Sequence, residues 1–300
     1  MRLSDDQLEA ARRRAFAIAY RMLGSVSEAE DVSQEAVFRL ARVDEPIDEP
    51  AAWVTTTATR LSIDVLRSAR ARRETYVGPW LPEPLIGGCP DDAASHAELA
   101  DSLSQAFLVM LERLTPAERA AFLLREVFDY DYAEIARILD RSEVNARQLV
   151  TRAKKHLGAA RPRFDADRAL RDRLLERFLA AADDGDVAAL EALLAQDAVF
   201  YSDGGGKAAA ARKPLFGARR IARVVATAIP KSHRRQGLRR QPARVNGQPG
   251  VVLRTPDGAV WGVLSIDALE GRIQTIRIVR NPDKLTHLPT PAVTPTGGRP

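Results

Sequence analysis

The sequence predicts a multidomain protein in which two all-α modules precede an α+β domain. Its 300 residues exceed what a single helical core usually needs, so two or three domains are expected. Apolar residues recur at helical spacing as far as about residue 157, whereas β-like runs dominate later. Short helices followed by strands are typical of an α+β domain.

The first module begins with an apolar helix face. Phe16, Tyr20 and Leu23 lie at i, i+4 and i+7, and the glycine that follows ends the helix. Ser27 and Glu30 match a capping box, which predicts the start of a second helix that runs to about residue 42.

An exposed loop is predicted at residues 43–50, which contain two prolines and four carboxylates. Asp48 is expected to cap the third helix, with Pro50 tolerated in its first turn. The apolar face of that helix consists of Val54, Ala58, Leu61 and Val65. The same apolar spacing favours a core role for Trp53, with stacking on a base as the alternative.

A linker is predicted at residues 76–100, which are rich in proline and glycine in their first half. Residues that precede a proline favour extended geometry, so the run WLPEP at 80–84 is expected to be extended. Helical spacing resumes near Ala97. Thr115 and Glu118 then mark the start of a helix, with Pro116 at its first position.

Two short helices, Tyr132–Leu139 and Glu143–Leu157, predict a helix-turn-helix. An apolar stripe in the second helix turns its polar residues outward, where they can reach base edges and phosphates in a major groove. The candidate DNA-binding residues of this motif are Ser142, Glu143, Asn145, Arg147, Gln148, Thr151, Arg152 and Lys155. The alternative is an ordinary helical hairpin with a solvated polar face.

Charge is unevenly distributed, although the formal net charge is only +5. The end of the first module is basic and supplies five further candidate DNA-binding residues, Arg60, Arg67, Arg70, Arg72 and Arg73. Basic helix ends also complement the helix dipole, so a solvated face is the alternative there. Asp31, Gln34 and Glu35 share one helix face, which by itself indicates a solvent-exposed acidic stripe.

After Pro162 the pattern changes to that of an α+β domain. Helices are predicted at residues 166–182 and 187–195. The predicted strands that follow are 198–201, 250–254, 260–266 and 273–279. Residues 286–300 contain four prolines and two glycines, which predicts a disordered tail.

Several protein classes are excluded by composition. The single cysteine, Cys89, fits a reducing compartment, and no apolar run has the length of a signal peptide or of the roughly 18 residues that span a bilayer. A cytoplasmic protein is therefore expected, without a membrane partner. No catalytic pair, metal-ligand cluster or cofactor motif is found, and His233 lies in a basic stretch that favours exposure.

The ordered combination of these features resembles a known family. Residues 11–75, with AYRMLGSVSEAEDVSQEAV, and residues 101–158, with LTPAERAAFLLREVF, resemble regions two and four of extracytoplasmic-function RNA polymerase sigma factors. The runs WLPEP, DGGGK and NPDKL resemble the SigJ-like subgroup, whose members carry a cone-shaped SnoaL-like domain around a pocket. The resemblance implies region two at 1–75, region four at 101–160 and this domain at 166–285.

The resemblance also implies roles for residues. Asp31, Gln34 and Glu35 match the surface that docks on core RNA polymerase, and the loop at 43–50 with the helix after it matches the part that captures the minus-ten element. The second helix of the helix-turn-helix matches the reader of the minus-thirty-five element. Arg60 and Leu149 depart from the Asn and Arg that many members carry. The implied regulatory residues are Trp80, Leu81, Pro82, Glu83, Pro84, Asp203, Gly204, Gly205, Gly206, Lys207, Asn281, Pro282, Asp283, Lys284 and Leu285.

The sequence therefore predicts an alternative sigma factor that binds core polymerase and promoter DNA and is regulated in cis by its C-terminal domain. The rigid and turn-forming runs suit a single docking surface for the linker. Lys207 is expected to pair with Asp203, or Lys207 and Lys284 with Glu83 or with each other's neighbouring aspartates. The alternatives are a one-component regulator that senses a small ligand in the C-terminal pocket without polymerase, and an enzyme with a DNA-binding appendage.

Overall fold

The computed structural model describes residues 4–44, 47–87, 102–158 and 167–288, and within these the side chains of 69–74 and 232–234 are not described. The predictions for Cys89, Ala97 and residues 289–300 lie outside the described residues, as do those for the side chains of Arg70, Arg72, Arg73 and His233. Contacts divide the chain into two units. The first contains Met1–Thr75 and Gly88–Pro162, and the second contains Tyr76–Gly87 and Arg163–Pro300.

The first unit begins with a three-helix bundle formed by α1 (Asp5–Leu23), α2 (Val26–Ala41) and α3 (Pro50–Glu74). Small residues let the helices approach closely, since Ala15, Ala19 and Ala36 are fully buried beside Tyr20. Helix α1 ends where predicted, at a glycine with φ of +66°. The fold class expected for this module is thus confirmed.

Two predicted caps of this module are wrong by one or two residues. Ser25, not Ser27, caps α2, because its hydroxyl accepts the Glu28 amide at 3.2 Å. The chain re-enters a helix directly after the glycine that ends α1, so Ser27 lies inside the helix. Helix α3 begins at Pro50 itself, and the Trp53 amide donates to the Glu49 carbonyl, so Asp48 lies too early to be its cap.

The rest of the first unit contains α4 (Gln105–Leu111), α5 (Pro116–Glu126), α6 (Tyr132–Leu139) and α7 (Glu143–Leu157). The predicted start of α5 is confirmed, with Thr115 and Glu118 forming a capping box. The predicted helix-turn-helix is confirmed to the residue. Its turn at Asp140 has φ of +53°, a conformation that aspartate tolerates better than most residues.

Polar contacts join the two helical parts of the first unit. The Arg14 guanidinium donates to the hydroxyls of Thr55 and Tyr130, both at 2.9 Å. Arg21, which is 1% exposed, donates to Ser102, and Arg119 donates to the Met22 carbonyl at 2.7 Å. These hydrogen bonds fix the orientation of the helix-turn-helix part on the bundle.

The second unit is an α+β domain, as expected. Its helices are α8 (Arg168–Asp184), α9 (Val187–Leu193) and α10 (Ala218–Gln236). Its strands are β1 (Leu194–Asp203), β2 (Leu215–Phe216), β3 (Arg239–Val245), β4 (Gln248–Arg254), β5 (Val260–Leu269) and β6 (Arg272–Val279). A short 3₁₀ helix follows at Pro282–Lys284.

The strands form one sheet in the order β2-β1-β6-β5-β4-β3, with β1 parallel to β6 and the other neighbours antiparallel. The helices bury Phe178 and Ile221 against apolar sheet residues such as Ile266 and Ile276. This arrangement places the end of β1 beside the end of β6, so residues 203–207 and 281–285 become neighbours.

The sequence reading missed α10, β2 and β3, and it extended α9 into residues that open β1. Asn246 and Gly247, both with positive φ, form the turn between β3 and β4, and such an Asn-Gly pair is a strong hairpin signal in a sequence. The predicted disordered tail begins too early, because Leu288 is buried and His287 lies 2.9 Å from the Pro84 carbonyl oxygen.

Candidate functional site

The predicted polymerase-docking face lies on α2. Asp31 and Gln34 are exposed, and Glu35 is half-buried and accepts a hydrogen bond from Arg39 at 2.7 Å. Phe38, seven residues after Asp31, is 53% exposed on the same helix, with the Arg42 guanidinium 4.4 Å from its ring. The face thus combines an exposed aromatic ring with carboxylates, and the sequence analysis identified only its polar part.

A polar cavity of about 600 Å³ opens between the end of α2 and the start of α3. Arg39, Ile47 and Glu49 line it on one side, and Trp53 and Arg60 lie among its other lining residues. Trp53 is half-buried and not part of the core, so the core interpretation of this residue is wrong. An indole beside cationic groups is a suitable surface for an unstacked base.

Arg60 contacts protein groups in this structure. Its Nε donates to the Ile138 carbonyl oxygen at 2.8 Å, and its Nη2 donates to that of Arg137 at 3.1 Å. These carbonyls belong to the last turn of α6, where the helix dipole favours a cation. Arg60 therefore contacts the helix-turn-helix part, and its side chain remains exposed. Arg67 is exposed and pairs with Asp64.

The candidate reading helix, α7, buries Ala146, Val150, Ala153 and Leu157 and leaves Leu149 half-buried. Ser142 caps the helix by accepting the Asn145 amide. The other predicted DNA-binding residues of the helix, Glu143, Arg147, Gln148, Thr151, Arg152 and Lys155, are all exposed. The polar stripe therefore forms one continuous accessible face.

Arg147 is held in place on this face. Its Nη2 lies 2.6 Å from Glu143 Oε1, and its guanidinium lies 4.4 Å from the Tyr132 ring. A guanidinium fixed in this way loses less rotational entropy when it binds a guanine edge. Lys154 pairs with Glu126 at 2.8 Å, so Lys155 is the more available cation for a phosphate.

A third set of predicted residues meets in the second unit, around the buried carboxylate of Asp203. Its Oδ1 accepts the Tyr76 hydroxyl at 2.6 Å, and its Oδ2 accepts the Leu81 amide at 2.8 Å. Lys284 Nζ lies 2.7 Å from the same Oδ2, and Asn281 Nδ2 donates to the Tyr76 oxygen. We name Tyr76, Leu81, Asp203, Asn281 and Lys284 the linker cluster.

Lys284 binds the linker in three ways. Its ammonium donates to the Leu81 carbonyl oxygen and lies 4.8 Å from the Tyr76 ring and 4.3 Å from the Trp80 ring. The same ammonium also donates to Asp203. The ion pair has side-chain exposures of 8% and 0%. Burial and the adjacent Asp203 carboxylate both raise the pKa of Tyr76, which therefore remains a hydrogen-bond donor.

Each of the two lysines pairs with the aspartate that lies near the other lysine in the sequence. Lys284 pairs with Asp203, and Lys207 pairs with Asp283 at 2.5 Å on the surface. The expected pairing with each other's neighbouring aspartates is confirmed, whereas the local Lys207–Asp203 pair is not formed. The turn that carries Lys207 points its side chain away from the buried carboxylate.

Two glycines of the run at 203–207 are required by close packing. A Cβ at Gly205 would lie 2.2 Å from Asn281 Nδ2, and its φ is +56°. A Cβ at Gly204 would lie 2.3 Å from the Ala208 carbonyl oxygen. The side chain of Asn281 can reach the Tyr76 hydroxyl only because Gly205 has no side chain.

The linker has a second attachment, which the sequence reading missed. Leu85 and Asn246 exchange two hydrogen bonds, at 3.1 Å and 2.7 Å, and Ile86 pairs with Val245. Leu81, Glu83 and Leu85 are buried, and the Pro84 carbonyl contacts His287. The Asn-Gly turn could have indicated Asn246 from the sequence. We see no sequence signal for Tyr76 or His287.

Neither a metal site nor a membrane-spanning helix is found among the described residues. No group of His, Cys, Asp and Glu side chains in this part of the chain could hold a metal ion. Likewise, no helix within the described ranges is long and apolar enough to cross a membrane.

Known proteins resemble this chain in both sequence and structure. Sigma-70 region 2 matches residues 8–72, and sigma-70 region 4 matches residues 104–157. The ECF RNA polymerase sigma factor SigJ of Mycobacterium tuberculosis is 36% identical over 293 residues, which cover 94% of this chain and 93% of the relative. The probable ECF sigma factor SigI of that organism is 32% identical over 297 residues, covering 94% and 96%.

The solved structures include one with the same arrangement of elements over almost the whole chain. The crystal structure of the M. tuberculosis extracytoplasmic-function sigma factor SigJ aligns with a TM-score of 0.75 at 33% identity. The alignment covers 96% of this chain and 100% of that chain.

The buried ion pair of the linker cluster should matter far more than the exposed one beside it. Asp203→Asn leaves the Lys284 ammonium buried without its anion, and we expect the free energy of unfolding of the second unit to fall by about 3–5 kcal/mol. Hydrogen exchange of residues 76–87 in the full chain, measured by mass spectrometry, should rise accordingly.

Asp283→Asn is the matched control, because it breaks the exposed pair with Lys207 and should cost less than about 1 kcal/mol. Adding Lys284→Met to Asp203→Asn should recover part of the loss, since it removes the stranded charge. Equal rates of hydrogen exchange at residues 76–87 in the Asp203→Asn and Asp283→Asn variants would contradict the importance of the buried pair.

Proposed function

The chain belongs to the extracytoplasmic-function sigma factors of RNA polymerase, and from this premise we propose that it binds core polymerase and directs initiation at specific promoters. The observation that carries the proposal is the presence in one unit of an exposed α2 face and an exposed α7 face. A DNA-binding regulator that acts alone needs the second face but not the first. Such a factor works with polymerase in the cytoplasm.

Run-off transcription distinguishes these two functions. Purified core polymerase with this chain should give transcripts from its own promoter, and core polymerase alone should give none. A one-component regulator would instead bind promoter DNA without polymerase and would add no transcript to the core enzyme.

The α2 face should be required for polymerase docking. The double variant Asp31→Arg with Glu35→Arg reverses the charge of a surface that is open to solvent, so we expect loss of co-purification with core polymerase without loss of fold. Circular dichroism checks the fold, and a pull-down with core enzyme measures the binding.

A control of equal charge change is Glu176→Arg with Asp184→Arg, since both residues are exposed on α8. This control should bind core polymerase normally. Retention of the Asp31/Glu35 double variant on core polymerase would refute docking through α2.

Substitutions on the α7 face should distinguish residues that contact bases from residues that contact phosphates. Arg147→Ala and Gln148→Ala should weaken binding at particular upstream base pairs by about 1–3 kcal/mol each. Lys155→Ala should lower affinity for all upstream sequences evenly and flatten the dependence on salt. Affinities of holoenzyme for a panel of upstream elements measure both effects, and a uniform loss in all three variants would mean that α7 reads no bases.

Regulation in cis is supported by the way the linker is held. Residues 76–87 connect the bundle to the helix-turn-helix part of the first unit along the chain, yet their contacts belong to the second unit. Released from those contacts, twelve residues would add up to about 40 Å of reach to the connection. The C-terminal domain therefore sets how far the two DNA-binding parts can separate.

The direction of this regulation follows from Arg60. Its guanidinium lines the neighbouring cavity but is bound to the last carbonyls of α6, so an Arg60 that binds promoter bases must leave these carbonyls, which favours movement of the two parts away from each other. A held linker restrains that movement. We therefore infer that the linker cluster and the contacts of Leu85 lower transcription, and that release of the linker raises it.

Weakening the linker cluster from the linker side should raise transcription several-fold. Tyr76→Phe removes the hydroxyl that donates to Asp203, and Trp80→Ala removes the ring beside Lys284, while neither residue belongs to the apolar core of the C-terminal domain. Promoter-dependent transcripts per bound holoenzyme are the measurement.

Truncation after Leu288 is the matched control and should be silent, because it keeps His287 and the buried Leu288. Truncation before Asn281 should act like the linker variants. Unchanged or reduced transcription from Tyr76→Phe and Trp80→Ala would overturn the inferred direction.

A further inference from the structure

The C-terminal domain contains a cavity of about 370 Å³, a size that fits a small organic molecule. Its walls are mainly apolar and come from the inner face of the sheet and from α8 and α10. Phe178, Phe200, Val225, Trp261 and Leu264 are among the lining residues. Apolar walls of this kind bind the hydrocarbon part of a ligand by removing it from water.

The charged groups that line this cavity are cations. Arg240, Lys231 and Arg280 contribute to the lining, whereas no Asp, Glu or His occurs among its described lining residues. Arg240 is neutralised by Asp183, with Nη1 and Nη2 each 2.5 Å from a carboxylate oxygen. The remaining charge of the cavity is therefore positive, which favours an anionic ligand.

Among these cations, Arg280 is the best placed to bind an anionic ligand. It lies over the Trp261 ring at 3.5 Å, donates from one nitrogen to the Ala209 carbonyl oxygen at 2.7 Å, and forms no ion pair with any described carboxylate. Its buried Nε has no hydrogen-bond partner. Arg244 and Arg277 of the same domain also have one buried nitrogen without a hydrogen-bond partner, but they pair with Asp172 and Asp267, and Arg280 differs from them in lacking an anion.

Burial without such a partner also lowers the pKa of the Arg280 guanidinium. A ligand carboxylate would supply the missing anion and could accept two parallel hydrogen bonds from the guanidinium fork. A neutral apolar ligand would leave the buried Nε unsatisfied.

We propose that this cavity binds a small carboxylate with an apolar body, and that Arg280 holds the carboxylate. A neutral ligand of the same shape should bind more weakly.

Arg280 also connects the cavity to the linker cluster. Its backbone amide donates to the Asp203 carbonyl oxygen at 2.7 Å, and the next residue is Asn281, which donates to Tyr76. Ser202, on the other strand, lines the cavity directly before Asp203. A ligand carboxylate that binds Arg280 would draw it away from Ala209, and we infer that this movement loosens the linker cluster. This part of the inference rests on the proposed regulation in cis.

Calorimetric titration of the full chain with decanoate, and with decanol as the neutral ligand of equal length, tests the site without polymerase or DNA. Decanoate should bind at least about tenfold more tightly than decanol, as expected for a charge-assisted contact. Arg280→Met, which keeps an apolar stem over Trp261, should remove this preference.

Two further variants keep the test decisive. Ala228→Glu places a carboxylate on an exposed lining position and should lower the affinity for decanoate by repulsion. This variant still tests the site if Arg280→Met fails to fold. Arg220→Met, an exposed arginine on α10, is the matched control and should bind as the unmodified chain does. Equal affinity for decanoate and decanol, no binding of either, or full affinity in Ala228→Glu would overturn the site.

Hydrogen exchange of residues 76–87 with and without decanoate tests the connection separately. Faster exchange with decanoate supports it, and unchanged or slower exchange in a chain that binds decanoate overturns it. Because neither measurement involves transcription, failure of this inference is distinguishable from failure of the proposed sigma-factor function.

Discussion

The buried ion pair between Asp203 and Lys284 is the interaction on which the organisation of this chain depends. A carboxylate removed from water is costly unless every oxygen is satisfied, and here a phenol, two backbone amides and an ammonium satisfy it. One of those amides belongs to the linker, at Leu81. The pair therefore reaches its full hydrogen bonding only when the linker is in place.

This arrangement makes the second unit dependent on a segment that interrupts the first. An apolar contact alone would hold the linker but would not fix its register, because apolar contacts are not directional. The Asp203 oxygens, the Asn246 amide and the His287 ring instead fix individual backbone groups of the linker. Polar groups that are costly when unpaired give such a contact its specificity, and they also make it sensitive to small displacements.

The contacts inside the first unit follow the same principle. Arg14, Arg21, Arg60 and Arg119 join its two helical parts through hydrogen bonds to hydroxyls and helix-end carbonyls. Water and DNA phosphates can replace such partners, whereas they cannot replace a large apolar interface. A surface of this kind suits two parts that must hold together in one state of the protein and separate in another.

The sequence by itself determined the order and class of the modules, the start of α5 at Thr115, the bounds of the helix-turn-helix and the polar face of α7. These features depend on residues three or four apart, so their periodicity is visible in the chain. Only the tertiary structure decided that Lys284 pairs with Asp203, 81 positions away, and that Arg60 donates to the last carbonyls of α6. It also decided that the linker belongs to the second unit and that Trp53 lines a cavity. Contacts between distant residues depend on how the elements pack and leave no periodic pattern, which is why local spacing could suggest the partners but not choose among them.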